Sequence, residues 1–172
     1  IFKSKRRDIM GSIRDINVNI ENVNFVCRSC AIIINNNKIL FQKRKADKFW
    51  ALPGGKIEIL ETTAEAVKRE IKEELGIENI EVGDVLSVTE NFFEWNGNKV
   101  HQYIFTHKVS LNDNIYDNIE SEFNGKEEGK DVVFKWIKKE DLTNEKIKPD
   151  YVVEQILNID NRTKFTTCIE NV

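Results

Sequence analysis

The sequence predicts an α/β (α+β) domain in which paired β-strands surround one strongly marked helix. β-Branched runs at 25–34 and 38–44 flank three asparagines, and similar runs flank the dipeptide Asn96-Gly97. Asn and Gly tolerate the left-handed conformations that tight hairpin turns need. Apolar residues recur with a helical period over 63–75, which predicts the helix.

The composition excludes several classes of protein. Of 172 residues, 40% are hydrophobic and 32% are charged, which excludes a disordered tail or a collagen-like repeat. The aliphatic run at 31–34 is far shorter than the roughly 20 residues of a membrane helix, so we expect no membrane partner. The net charge is −3, so no overall field attracts duplex nucleic acid.

The three cysteines do not predict a metal or redox site. Cys27 and Cys30 have C-x-x-C spacing but lie in a predicted strand, where positions three apart point to opposite faces. A zinc site also needs a second pair, and only Cys168 remains. We interpret all three as ordinary thiols, which fits a reducing compartment and predicts a cytoplasmic location.

Local patterns assign the remaining segments. Residues 112–130 are polar and predict a long loop, and a short strand at 50–52 is expected to stop at Pro53-Gly54-Gly55. Further strands are expected at 80–90, 100–109 and 132–137, and a helix that Pro149 opens at 151–157. We expect a domain at 25–158, an extension of unknown role at 1–24, and a segment at 159–172 that no pattern places.

The helix predicted over Thr63–Leu75 has three distinct faces. A capping box, Thr62 with Glu65, precedes it, and Gly76 ends it. At about 100° per residue, three glutamates share one arc. The core stripe is expected to contain Ala64, Val67, Ile71 and Leu75, the solvent arc Glu65, Lys68 and Lys72, and the acidic arc Glu70, Glu73 and Glu74.

An acidic arc near a helix C-terminus does not favour folding. Like charges one turn apart repel, and they oppose the helix macrodipole. A hard divalent cation such as Mg²⁺ removes both penalties because it binds carboxylate oxygens. An ordinary charged face is the alternative, because Glu is a good helix former.

A longer motif around the helix decides between these interpretations. It is G-x5-E-x7-R-E-U-x-E-E-x-G-U, where U is aliphatic, and its fixed positions are Gly55, Glu61, Arg69, Glu70, Ile71, Glu73, Glu74, Gly76 and Ile77. This motif resembles the complete box of the Nudix hydrolases (MutT-like). The lead-in Trp50–Gly55 and the later segments Lys135–Ile137 and Glu140–Leu142 are also similar to the family pattern, so the resemblance spans roughly residues 25–157.

The resemblance implies a Nudix fold, a mixed β-sheet sandwiched between helices, with the box as a loop–helix–loop. It also implies hydrolysis of a nucleoside diphosphate linked to another group, with Mg²⁺ or Mn²⁺. The implied metal ligands are Glu70, Glu73, Glu74 and the Gly55 carbonyl. Arg69 would brace the acids, and Glu61 would support them.

The same resemblance implies a general base outside the box, on the loop before the late strand. Candidates there are Glu120, Glu122, Glu127 and Glu128, of which we favour the last two and take Glu128 as the catalytic residue; a solvated loop acid is the alternative for each. Arg44 is a candidate for holding a substrate phosphate, against a surface arginine. Phe92 is a candidate for stacking on a nucleobase, against packing under the sheet.

The expected function is that of a metal-dependent pyrophosphohydrolase acting on a small nucleotide substrate. Cleavage of a (deoxy)nucleoside triphosphate to the monophosphate is the default, and ADP-ribose, nucleotide sugars and dinucleoside polyphosphates are alternatives. The chain has no proline from 54 to 148, which weakens the ADP-ribose alternative, because such hydrolases often carry one after the box. A non-catalytic nucleotide-binding module is the alternative of another class, and a homodimer stays open. An isomerase of isopentenyl-diphosphate type is disfavoured because Cys27 and Cys30 lack its motif context, and His101 and His107 are interpreted as structural.

Overall fold

The computed structural model describes residues 14–112, 121–160 and 162–170. The helices in these ranges are α1 (Thr63–Leu75), a 3₁₀ helix (Lys139–Asn144) and α2 (Tyr151–Leu157). The strands are β1 (Asn17–Ile20), β2 (Val23–Asn35), β3 (Lys38–Arg44), β4 (Gly54–Lys56), β5 (Ile80–Trp95), β6 (Asn98–Leu111), β7 (Glu122–Asn124), β8 (Val132–Lys138) and β9 (Lys164–Glu170).

The strands form one mixed sheet in the order β7-β8-β3-β2-β6-β5-β9, with β1 and β4 also paired to β2. The β2–β6 and β5–β9 pairs are parallel and the others are antiparallel. Strands β2 and β3 pair only near their hairpin, at Ile34–Ile39 and Asn35–Lys38. The gap that opens beyond this turn is filled by β4 on β2 and by Ala51, which bridges to Gln42. The start of the box is therefore built into the centre of the sheet.

Two hydrophobic clusters cover the two faces of the sheet. One packs α1 against the sheet through Val67, Ile71 and Leu75, together with Ala31 and Ile33 of β2. The other packs the 3₁₀ helix and α2 against Cys30, Ile32 and their neighbours. The expected mixed sheet between helices is confirmed. No helix in the described ranges is long and apolar enough to cross a membrane.

Several elements differ from the expected ones. The short strand expected at 50–52 was wrong: Trp50 and Ala51 make only isolated bridges, and the strand is Gly54–Lys56, because its backbone pairs with β2 at 28–30. The hairpin strands β5 and β6 extend to the Asn96-Gly97 turn.

Three further strands lie where none was expected. Part of the expected loop at 112–130 is β7, while 113–120, including Glu120, lies outside the described residues. The unplaced C-terminal segment contains β9, and the N-terminal extension contains β1.

The cysteine interpretation agrees with the alternation of β2. Cys30 lies in the cluster on the α2 face, whereas Ala31 lies in the cluster on the α1 face. Cys27 shares the parity of Ala31, so the two thiols point to opposite faces. All three cysteines are free.

Candidate active site

Helix α1 is fixed at both ends. The Thr62 hydroxyl accepts from the Glu65 N–H (3.2 Å), and the Glu65 carboxylate accepts from the Thr62 N–H (2.8 Å), which completes the expected capping box. Gly76 ends the helix with a φ of 70°. The Ser29 hydroxyl donates to the Thr63 carbonyl (2.7 Å), and a His107 ring nitrogen lies 2.9 Å from the Thr63 hydroxyl. These contacts attach the start of α1 to β2 and β6, which gives His107 a structural role.

The three faces of α1 match the expected ones with one exception. Ala64 is half-buried rather than part of the core. The solvent arc is exposed as expected, and the core side chains are buried. Of the acidic arc, Glu73 is 44% exposed, whereas Glu70 and Glu74 are only 7% and 6% exposed. Glu70 and Glu74 therefore face the protein, whereas Glu73 is exposed to solvent.

Two glycines let the backbone of the box approach this arc. A β-carbon on Gly54, which has a φ of 132°, would lie 2.2 Å from the Ser29 carbonyl oxygen. A β-carbon on Gly55 would lie 2.1 Å from Glu70 Oε1. The Arg28 guanidinium donates to the Gly54 carbonyl at 2.9 Å, which holds the corner from the β2 side. Only glycines leave room for both the strand and the Glu70 carboxylate.

Arg69 ties the acids to the preceding loop. Its Nε and Nη2 donate to the two oxygens of Glu61 at 2.8 and 2.9 Å, a bidentate pair. Its Nη2 also donates to the Lys56 carbonyl (2.9 Å), and its Nη1 donates to Glu70 (2.9 Å) and more weakly to Glu73 (3.4 Å). The hydrogen bond from Arg69 lowers the pKa of Glu61. The resemblance implied a bracing role for Arg69 and a supporting role for Glu61, and the structure brings the two side chains together.

Glu74 is the most perturbed acid of the site. Burial, reinforced by the charge of Glu70, raises its pKa to about 8. Its Oε2 is buried and has no hydrogen-bond partner among the described residues. Burial also raises the pKa of Glu73, against the lowering effect of Arg69. The ionised Glu74 carboxylate, which is buried and has one oxygen without a donor, is unfavourable unless a proton or a cation compensates its charge.

The segment 125–130 lies over the C-terminal end of α1. The Lys126 N–H donates to the Glu74 carbonyl at 2.8 Å. Glu127 is half-buried, and its charge raises the pKa values of both Glu73 and Glu74. Glu128 is exposed, and no interaction described for residues 121–160 joins it to the box acids. Of the two favoured loop acids, the structure brings Glu127 rather than Glu128 to the site. Glu122 lies exposed in β7.

Neither Arg44 nor Phe92 makes a contact with the box acids that is described within residues 14–112 and 121–160. Arg44 ends β3 opposite Val132, is exposed, and makes no side-chain contact among those described. Phe92 stacks on His101 (4.4 Å between ring centroids), and His101 also meets the ring of Phe25 at 5.3 Å. These rings lie half-buried on the sheet, so the packing alternative accounts for Phe92 without a nucleobase.

The donor set fits a hard divalent cation, although its members are not assembled around one. Among residues 14–112, 121–160 and 162–170, no three acidic, histidine or cysteine side chains converge as metal ligands. Arg69 binds two of the implied ligands, Glu70 and Glu73. The unpartnered buried oxygen of Glu74 and the cradle at Gly55 are what a cation site with oxygen ligands requires. Arg69 binds only Oε1 of Glu70 and Oε2 of Glu73, so the other oxygen of each carboxylate is not bound to Arg69.

Comparison with known proteins identifies the family. The model of the NUDIX domain matches residues 26–155, well over half of the chain. The chain belongs to the NUDIX family. The MutT protein of Bacillus halodurans has a similar structure, with a TM-score of 0.62, 21% identity, and coverage of 85% of this chain and 90% of that one. The match to the family model confirms the resemblance drawn from the box.

Two curated proteins are similar over shorter stretches. An ADP-ribose pyrophosphatase of Methanocaldococcus jannaschii is 57% identical over 49 residues, which are 27% of this chain and 29% of that protein. Nucleoside triphosphatase NudI of Enterobacter sp. (strain 638) is 47% identical over 58 residues, which are 31% of this chain and 40% of that protein. The matched segments thus span less than half of the length of either relative.

Two site residues were missed in the sequence. Arg28 is the only charged residue of strand β2, and that charge was an available signal that its side chain has a specific partner. Lys130 lies among loop charges and has no local signal. Its ammonium lies 2.8 Å from Glu127 Oε2.

Proposed function

We propose that this NUDIX protein is a divalent-metal-dependent pyrophosphohydrolase that cleaves a nucleoside diphosphate linked to another moiety. The observation that carries the proposal is the Glu74 carboxylate. It is buried, has an unpartnered oxygen, and adjoins two further box acids held by Arg69. A buried carboxylate with an unpartnered oxygen destabilises the fold, and such perturbed acids are typical of functional sites.

The residues of the box have different roles in the proposed reaction. Glu70, Glu73, Glu74 and the Gly55 carbonyl would hold Mg²⁺ or Mn²⁺, whose chemistry is to neutralise phosphate oxygens and make water more acidic. Arg69 keeps the acids in register with the loop by its bidentate pair with Glu61. Gly55 leaves the space in which the Glu70 carboxylate lies.

We propose Glu127, rather than Glu128, as the general base. Water attacks one phosphorus of the anhydride, the bridging P–O bond breaks, and the proton of the water passes to the Glu127 carboxylate. Glu127 is favoured because it is half-buried beside Glu73 and Glu74, whereas Glu128 is exposed.

We propose a (deoxy)nucleoside triphosphate, cleaved to monophosphate and pyrophosphate, as the first substrate to test. The similarity to a nucleoside triphosphatase supports it. ADP-ribose is the second candidate, because a relative named as an ADP-ribose pyrophosphatase is 57% identical over its matched segment. This similarity favours ADP-ribose, whereas the absence of a proline from 54 to 148 disfavours it.

The experiment is product identification over a nucleotide panel with Mg²⁺ and Mn²⁺. The panel contains common and oxidised (deoxy)nucleoside triphosphates, ADP-ribose, NADH, diadenosine polyphosphates and nucleotide sugars, and Glu70→Gln is the inactive control. Turnover that Glu70→Gln abolishes supports the proposal and names the substrate class. Metal binding without turnover of any panel member would instead favour the nucleotide-binding module.

A further inference from the structure

Lys130 is placed against the acids by a short turn. The Lys130 N–H donates to the Glu127 carbonyl at 3.3 Å, and the two side chains form an ion pair at 2.8 Å. The same segment is fixed to α1, because the Lys126 N–H donates to the Glu74 carbonyl. The loop that carries the ammonium is thus attached to the C-terminal end of the helix that carries the acids.

The ammonium faces more than one carboxylate. Burial alone would lower the pKa of Lys130, but the contact with Glu127 and the charges of Glu70 and Glu74 raise it. In the opposite direction, Lys130 lowers the pKa values of Glu73 and Glu74. Lys130 is therefore within electrostatic reach of the whole acidic arc.

The cations Arg28, Arg69 and Lys130 lie near the arc. Arg28, like Lys130, lowers the pKa of Glu74, whereas Arg69 contacts other acids. Arg69 makes hydrogen bonds to Glu61, Glu70 and Glu73, but none is described to Glu74 within residues 14–112 and 121–160. The buried Oε2 of Glu74 has no hydrogen-bond partner there either. Lys130 therefore compensates the carboxylate of Glu127 by direct contact and that of Glu74 through space. Its side chain is 49% exposed, so it can leave the site without unfolding the loop.

We propose that Lys130 is a tethered counter-ion of the acidic arc, which occupies the electrostatic place of a divalent cation and weakens the affinity for that cation. This role rests on the proposed metal dependence. Because a metal and an ammonium compete for the same negative potential, the ammonium must withdraw when the metal binds. Lys130 therefore sets the metal concentration at which the site fills, and it stabilises the metal-free protein.

The test is Mn²⁺ binding to the full chain by titration calorimetry, without substrate, and the melting temperature in chelator. Lys130→Gln and Lys130→Met remove the charge, and Lys68→Gln removes one from the solvent arc of the same helix. We expect the Lys130 variants to bind Mn²⁺ about 3- to 10-fold more tightly, the size of one partly screened charge. We also expect them to melt a few degrees lower in chelator, with Lys68→Gln unchanged in both.

Each contrary outcome has a distinct meaning. Unchanged or weaker Mn²⁺ binding by both Lys130 variants would overturn the counter-ion role and leave the metal-dependent hydrolase intact. Equal tightening by Lys68→Gln would also overturn it, because net charge alone would then explain the effect. Absence of Mn²⁺ binding to the unaltered chain would overturn both proposals.

Discussion

Gly55 and Glu70 occupy a space that only a glycine can share with a carboxylate: a β-carbon at residue 55 would lie 2.1 Å from Glu70 Oε1 and 2.2 Å from its carboxyl carbon. The neighbouring Gly54 differs, because its hypothetical β-carbon meets the backbone of Ser29 and its φ is 132°. Gly55 therefore leaves room for a side chain that can move, whereas Gly54 leaves room for the backbone of a strand that is fixed.

This difference predicts opposite phenotypes for two adjacent substitutions. We expect Gly55→Ala to fold with a melting temperature within about 2 °C of the parent, since Glu70 can turn away, but to bind Mn²⁺ more than 10-fold more weakly. We expect Gly54→Ala to lose about 3 kcal/mol of unfolding free energy through strain and backbone overlap. Urea unfolding and metal titration distinguish them, and loss of folding in Gly55→Ala would show that Glu70 is fixed.

The raised pKa of Glu74 predicts how stability changes with pH in chelator. Because its pKa is about 8 in the folded protein, above its usual 4.5, folding favours the protonated acid. This contribution is complete below about pH 4.5 and is lost as the pH rises through 8. We expect Glu74→Gln to be more stable than the parent at pH 9, by up to a few kcal/mol, and similar to it at pH 5.

Urea unfolding at pH 5, 7 and 9 provides the measurement for Glu74. Glu65→Gln is the matched control, because the Thr62 hydroxyl lowers the pKa of that exposed acid. The contribution of Glu65 is present above its usual pKa, so it does not change from pH 5 to 9. A parent protein whose stability is flat across this range would contradict the assigned environment of Glu74.

The bidentate pair of Arg69 with Glu61 predicts that the geometry of the guanidinium matters more than its charge for stability and activity. Arg69→Lys keeps the charge but cannot pair with both oxygens of Glu61 while reaching Glu70. We expect it to lose about 1–3 kcal/mol of stability, because the pair is partly exposed, and to lower kcat at least 10-fold. Lys72→Gln, which breaks an exposed pair with Glu78, should change neither quantity. Full activity in Arg69→Lys would show that charge alone suffices.

The two adjacent loop acids provide an internally controlled test of the general base. We expect Glu127→Gln to lower kcat about 100-fold, because no carboxylate then accepts the proton. Glu128→Gln should stay within about 2-fold of the parent, since its side chain is exposed. The reverse pattern would restore Glu128 as the base.

Metal dependence predicts thermal stabilisation without any substrate. A cation that binds only the folded state adds about 2.7 kcal/mol at 100 times its Kd, or roughly 5–10 °C for a chain of this length. We expect Mg²⁺ to produce such an increment in the parent protein. The double variant Glu73→Gln, Glu74→Gln should lose the increment and be no less stable in chelator. A large loss of stability in chelator would mean that these acids have structural partners.

The elements that were predictable from sequence are those with local signals. Helix α1 was expected at its observed bounds because the capping box and Gly76 act within one turn of its ends. Strand β3 was equally clear, since its hairpin turn directly precedes it. The helical spacing of the box likewise predicted that Arg69 lies close to the acids, and it contacts Glu70 and Glu73.

The elements that sequence reasoning missed depend on distant partners. Strand β4 is mostly glycine and exists because β2 pairs with it. Strand β9 exposes Phe165 and Ile169. Its Lys164, Thr166 and Glu170 are half-buried, which is the reverse of the usual alternation. The choice between Glu127 and Glu128 depends on how the loop docks at the Glu74 carbonyl, and that contact has no sequence pattern.

The three arcs of helix α1 have a consequence for how the protein evolves and how it is engineered. A library selected only for thermal resistance would retain Val67 and Ile71 and discard Glu74, because replacing a buried acid that has an unpartnered oxygen is stabilising. A library selected for turnover would retain Glu74 and tolerate changes at Lys68 and Lys72. The two selections should therefore conserve different faces of the same thirteen-residue helix: the core stripe under thermal selection, and the acidic arc as well under selection for turnover.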